Sequence, residues 1–446
     1  MASESLFPEM TARQSSSEGI LPSQDIRHFI DTGIIRYTRE IAEDQIQPAS
    51  IDLRLWHEAY RVRASFLPGK STTLIHKATA NGMLDRKIEI SDPTLLEPNV
   101  VYIIPLMESL ALPPDIYGIA NPKSTTGRLD IFTRLITEPG DEFERIRKGY
   151  SGSLYVEVVS RTFPIVVKAG MKLNQLRFGR GRFAPAGDAR LRELAQDDRL
   201  LDADEDGSEQ EPKIDRGMRI TVDLQGNGSE IVAYRANKCA PPIDLSKIDH
   251  YNRDDYWTPI YRNSKRHHIL EPGEFYILAS KQRVRVPPDL AAELLPYDPA
   301  TGEFRVHYAG FFDPGFGYGA HGEVPGTRVV LEVRANELPV LLEDDQFVGR
   351  VHYYNMAGTP DKVYGGSIGS SYQQQGLALS KQFRRDQQYI SGSAASPTIK
   401  AKTNSETASQ QGVTTPQDVE ADDTDSLLKL AFPDSKAEYR INAKNL

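Results

Sequence analysis

The apolar positions of this chain fall in short runs bounded by Gly, Pro, Asn or Asp. VVYIIPL, LYVEVVS, FPIVVKA, FYILAS, RVVLEVRA and LPVLLE are β-branched segments of strand length. Helical patterns are few. SQDIRHFIDTGII, near the start, has a Ser at the N-cap position and a Gly at its end. Many short strands with frequent turns predict a mainly all-β protein, built as β-barrels or double-sheet jelly rolls with a few short helices.

The pattern also repeats. EPNVVYIIPLMESLALPPDI (97–116) returns as EPGEFYILASKQRVRVPPDL (271–290), with Glu97, Pro98, Tyr102, Pro113, Pro114 and Asp115 recurring 174 positions later. AYR at 59–61 returns at 233–235, and YVEVVSRTFPIVV (155–167) meets VLEVRANELPVLL (330–342), with Glu157 over Glu332. Shared strand propensity cannot fix the register of Pro-Pro-Asp, Glu-Pro and Glu-Val, so the spacing predicts a duplicated domain. The reading divides the chain into a disordered lead (1–19), a first domain (20–185), a charged linker (186–215), a second domain (216–384) and a largely disordered tail (385–446). The linker should hold a short helix and then an acidic loop. The tail is polar, rich in Ser and Thr and nearly free of large apolar side chains.

Composition narrows the partners. A mean hydropathy of -0.46 and no apolar run near the ~18 residues of a span predict a soluble, cytoplasmic protein without membrane contact. One cysteine, Cys239, cannot build a disulfide framework or a multi-cysteine zinc site. The net charge of -9 argues against non-specific nucleic-acid binding, yet a local basic pocket for a small polyanion remains compatible with it.

NPKSTTGRL (121–129) is such a pocket candidate. Lys123 offers a point charge, Arg128 a bidentate fork, Ser124, Thr125 and Thr126 hydroxyls, and Gly127 close backbone approach. A solvated turn would use the same residues, and the Walker A spacing is absent. Glu157 lies within the apolar run SLYVEVVS, where a carboxylate needs a partner or a role. It reads either as the polar face of a half-exposed strand or as a general acid/base raised toward neutrality. Asp313-Pro314-Gly315 reads as a turn. The segment 363–376, with Tyr364 and Gln375, reads as a linker or as a flap that folds over a ligand.

The order of these motifs resembles the deoxycytidine triphosphate deaminase family, of the trimeric dUTPase-like (β-clip) fold. K-S-T-T-G-R-L, G-Y-S-G-S-L-Y-V-E-V and the tail with Tyr364 and Y-Q-Q-Q-G carry the resemblance, with IQPASIDLRL upstream. The resemblance implies hydrolytic deamination of dCTP to dUTP and ammonia, with Mg²⁺ on the substrate triphosphate and no zinc. It implies Glu157 as the catalytic carboxylate, and the Lys123–Arg128 loop, Thr137, Tyr155, Val156, Asp313, Tyr364 and Gln375 on the substrate. It also implies a homotrimer with sites between subunits. Action on dUTP, a bifunctional reaction, or nucleotide binding without turnover are the alternatives. The first repeat has Arg147-Lys148-Gly149 in place of the family's Asp-Pro-Gly, after an insertion around EPGDEFE. The second keeps Asp313 and Glu332, but its loop, PYDPATG, lacks Ser and Arg. Each repeat keeps part of what the other lost. Paired with its own repeat's loop, Glu332 faces no cation and reads as a structural relic or an ion-pair partner.

Overall fold

The structure, a computed structural model, describes residues 18–385 apart from 71, 198–199, 203–210, 227, 296–303, 307–309, 336 and 366–375. The described residues belong to one compact unit, which ends at Asp386. The tail beyond it, Gln375 and most of the 1–19 lead lie outside them.

Two sheets face each other in each half. In the first half, Lys172–Arg180 pairs with Ile116–Pro122, Gly19–Ile20 and Ile51–Arg54, and Arg145–Ile146 adds to Ile116–Pro122. The opposite sheet runs Leu84–Glu89, Glu58–Val62, Val101–Ala111, Ser151–Ser160, Ile131–Thr137. The second half repeats both orders. Phe347–Asn355 pairs with Leu290–Leu294, which carries Phe311–Phe312. Trp257–Tyr261, Ile231–Ala236, Phe275–Val284, Thr327–Ala335 and Phe304–Val306 form its second sheet. Even the register repeats: Glu157 lies opposite Ile103, and its counterpart Glu332 lies opposite Ile277. Period-two alternation places Leu154, Val156 and Val158 in the core, so Tyr155 and Glu157 point to the other face.

The halves are joined through a shared apolar core. Ile165 and Val166 pair in parallel with Ile243 and Asp244, which extends a first-half sheet with a second-half strand. Phe163 meets the rings of Trp257 at 5.5 Å and Tyr256 at 5.9 Å. Trp257, Phe275, Ile277 and Phe383 belong to the same cluster as the first-half core. This dry junction fixes the orientation of one half's loops against the other half's strands.

Two local expectations change. Ser23 is the first residue of the helix Ser23–Asp31 and not its cap; Pro22 holds that position without a side-chain bond. The Ser23 hydroxyl instead donates to Asp361, because the returning chain passes over the helix start. The linker is also more than a spacer: its helix, Asp188–Gln196, buries Leu191 and Leu194 in the second-half core.

Candidate active site

The basic loop forms one helical turn, Ser124–Gly127, between the strands Ile116–Pro122 and Ile131–Thr137. Its two ends carry the chemistry. At the start, Lys123 Nζ donates to Asp52 Oδ2 at 2.5 Å. Asp52 comes from Ile51–Arg54, buried between apolar neighbours, and its Oδ1 is buried without a hydrogen-bond partner among the described residues. Thr126 is structural, since its hydroxyl donates to the Leu173 carbonyl at 3.0 Å. Gly127 is buried in the turn. Ser124 and Thr125 are half-buried, and the Thr125 carbonyl accepts from Ser380 Oγ at 2.9 Å.

At the loop's other end the structure differs from a repeat-by-repeat reading. Arg128 is buried against the second half, with Nε 3.9 Å from Glu332 Oε1. Two residues on, Asp130 accepts from Arg334 of the second half and, at 2.6 Å, from Thr162 Oγ1. Glu332 therefore does face a cation, supplied by the other repeat. The expectation that it lacks one fails because the halves pack loop to strand across their junction.

Burial pushes the Glu332 carboxyl up to about 7, and Arg128 opposes the rise only in part. The carboxyl is thus ionisable at neutral pH in a nearly dry setting, the condition that acid/base chemistry asks of it. Glu157 is held differently. Nε and Nη2 of Arg134, on the neighbouring strand, donate to its Oε1 at 3.0 and 2.6 Å, while Nη2 also donates to Ser65 Oγ. The Arg134 guanidinium lies 3.7 Å from the ring centroid of Phe143, which belongs to the EPGDEFE insertion. Glu157 is fully buried beneath this cover, with Oε2 lacking a hydrogen-bond partner among the described residues.

Asp313 joins the same junction. It is buried, accepts from Arg177 Nη2 of the first half at 3.1 Å, and its carboxyl is raised by burial against the pull of Arg177. Tyr364 docks on this turn through its backbone N–H to the Pro314 carbonyl at 2.8 Å, and its ring lies 5.5 Å from that of Phe316. Beyond the undescribed stretch, residues 376–385 return to the basic loop. The Ala378 carbonyl accepts from Arg128 Nη1 at 3.2 Å, and burial and Lys123 together lower the pKa of the Lys381 ammonium. Lys381, Asp52, Asp130, Arg177 and Arg334 escaped the sequence reading. Asp52 and Arg334 carried the same signal as Glu157, a charge inside an apolar strand.

The other predicted residues fall elsewhere. Tyr155 is half-buried, its hydroxyl raised by burial and by Glu138, and Val156 is a core residue. Thr137 lines a separate cleft of the first half. Lys123, Ser124, Arg128, Asp313, Tyr364 and the overlooked charges converge on the junction; Glu157, Thr137, Tyr155 and Val156 do not.

Both halves of the chain match known proteins. Residues 17–182 match the profile of the 2'-deoxycytidine 5'-triphosphate deaminase N-terminal domain, and residues 187–383 match that of its C-terminal domain. A dUMP-forming dCTP deaminase of Halobacterium salinarum is 30% identical over 186 residues, 40% of this chain and 88% of that protein. A dCTP deaminase of Acidianus ambivalens is 26% identical over 161 residues, 36% of this chain and 84% of that protein. The crystal structure of 2'-deoxycytidine 5'-triphosphate deaminase from Agrobacterium tumefaciens superposes with a TM-score of 0.71 at 44% identity, covering 76% of this chain and 99% of that one. With both domain profiles matched in order along the chain, it belongs to the 2'-deoxycytidine 5'-triphosphate deaminase family.

Proposed function

We propose that this protein deaminates dCTP to dUTP and ammonia, supplying uracil nucleotides for thymidylate synthesis, at a site assembled from both repeats of one chain. The observation that carries the reading is the buried meeting of Arg128 with Glu332. In this reading Glu332, rather than Glu157, is the catalytic carboxylate. As carboxylate it takes a proton from water while the oxygen adds to C4 of the cytosine ring, and it passes that proton to N3. It then takes the proton of the new C4 hydroxyl and gives it to the exocyclic amine, so that C4=O forms as the C4–N bond breaks and ammonia leaves. Arg128 favours the ionised state needed for the first step, and the dry setting strengthens each of these interactions.

The triphosphate enters as its Mg²⁺ complex. Lys123, Ser124 and Lys381 offer two cations and a hydroxyl at the start of the loop, and Tyr364 stands at the neighbouring Asp313 turn. Among the described residues no three His, Cys, Asp or Glu side chains converge as a metal site. We read the water activation as zinc-independent because Glu332 itself is poised to supply the base.

Some relatives are described as dUMP-forming, so release or further hydrolysis of dUTP is the second reading. Ammonia and pyrophosphate release, measured in parallel with dCTP and dUTP, tests both. Ammonia without pyrophosphate from dCTP supports deamination alone; pyrophosphate from both substrates supports the bifunctional reaction. Binding without either product refutes turnover. Because one chain supplies both walls of the site, catalysis does not require association, but we retain the trimer as the expected assembly; a monomer in light scattering at micromolar concentration would overturn it.

A further inference from the structure

A second cleft, of about 580 Å³, opens on the first half and includes none of the junction residues that hold Glu332. Its size is within the range of small-molecule sites. Lys70, Arg145, Arg147 and Lys148 line it together with the rings of Tyr117 and Phe183. The rings meet edge to face at 5.7 Å, and the Arg145 guanidinium lies 5.5 Å from the Phe183 centroid.

The duplication identifies this wall. Arg145 and Ile146 pair with Ile119 and Gly118; Phe311 and Phe312 pair with Glu293 and Ala292, the positions that repeat Ile119 and Gly118. Arg147 therefore stands where Asp313 stands, and Gly149, at φ 68°, where Gly315 stands at φ 93°. In the second half the acidic member of this pair of positions meets Arg177. In the first half the charge is reversed, so its complement must be an anion. Asp141 and Glu142 also line the cleft, each 3.5 Å from a cation, Lys70 and Arg145 respectively. Exposed pairs of this kind are weak and yield to a multivalent anion. Arg147 and Lys148 are exposed and form no ion pair among the described residues.

We propose that the first-half cleft is a second, non-catalytic site for a phosphorylated nucleoside, its phosphates against these four cations and its base against Phe183 and Tyr117. The two rings favour a nucleotide over a bare polyphosphate, because a flat base adds contact that phosphate alone cannot.

The test uses the full chain and calorimetric titration with dCTP, in an E332Q background that blocks turnover. E332Q should bind two dCTP per chain, and E332Q with R147E/K148E should bind one, with that remaining affinity unchanged. The milder R147Q/K148Q pair should weaken the same site at least ten-fold. Inorganic triphosphate should occupy the cleft at least ten-fold more weakly than dCTP; equal affinity would remove the base from the proposal. R147E/K148E alone should keep turnover and thermal midpoint, which separates the cleft from the junction. One dCTP per chain both with and without the charge reversal overturns the second site. So does a fall in molar mass on charge reversal at unchanged stoichiometry, which would make the wall a subunit contact. One dCTP in E332Q that vanishes on charge reversal would sustain the cleft while refuting nucleotide binding at the junction.

Discussion

Glu332→Gln should inactivate the protein and yet stabilise it at alkaline pH. The Glu332 carboxyl is raised from 4.5 to about 7 in the folded chain. Between those values the folded state holds a proton that the unfolded state has released, so stability falls as pH rises from about 4.5 through about 7. A difference of roughly 2.5 units at 1.36 kcal/mol per unit amounts to about 3 kcal/mol as an upper estimate. The attraction of Arg128 is already contained in that shift. Gln resembles the neutral acid in size and polarity, so the variant escapes the loss. Urea unfolding of both proteins at pH 4.5, 6 and 8 should give a stability difference, variant minus parent, that grows by about 3 kcal/mol toward pH 8. A difference that stays constant, or shrinks with pH, would make Glu332 an ordinary ion-pair partner of Arg128 and refute the reasoning.

The same ionisation should appear as a limb in kcat/KM for dCTP, rising with pH through about 7 because the base form activates water; a flat profile between pH 5.5 and 8 would contradict it. Glu157→Gln should keep turnover within a few-fold and lose about 2 kcal/mol of stability, the scale of a charge-assisted bond to Arg134, read by urea unfolding. Arg334→Met should cost about 3 kcal/mol by leaving Asp130 buried without its cross-repeat partner. Ending the chain after residue 375 should reduce turnover at least ten-fold by removing the segment that touches Thr125 and Arg128. Ending it near 390 should leave turnover unchanged.

What the sequence made legible was local or periodic. Strand runs such as SLYVEVVS state their own buried face, and the offset that carries Tyr102 to Tyr276 states the duplication. The loop Lys123–Arg128 was also legible, since its residue types declare an anion. Its partner was not. Glu157 and Glu332 sit in equivalent strands, and nothing along the chain says which faces Arg128. That choice is made by the packing of Phe163 against Trp257 and by the strand pairing of Ile165 with Ile243. Likewise the EPGDEFE insertion was visible, but not that Phe143 would help to enclose Arg134 and Glu157. Lys381 lay beyond the expected flap and gained its place only when the chain folded back.

The most direct measurement is steady-state deamination, with dCTP binding measured alongside, for Glu332→Gln and Glu157→Gln in the full chain. The composite site predicts a loss of ~10²-fold or more in turnover for Glu332→Gln, with dCTP affinity little changed because the phosphates are held by the loop, and near-normal turnover for Glu157→Gln. An inactive Glu157→Gln beside an active Glu332→Gln would place the chemistry within the first repeat and contradict the account.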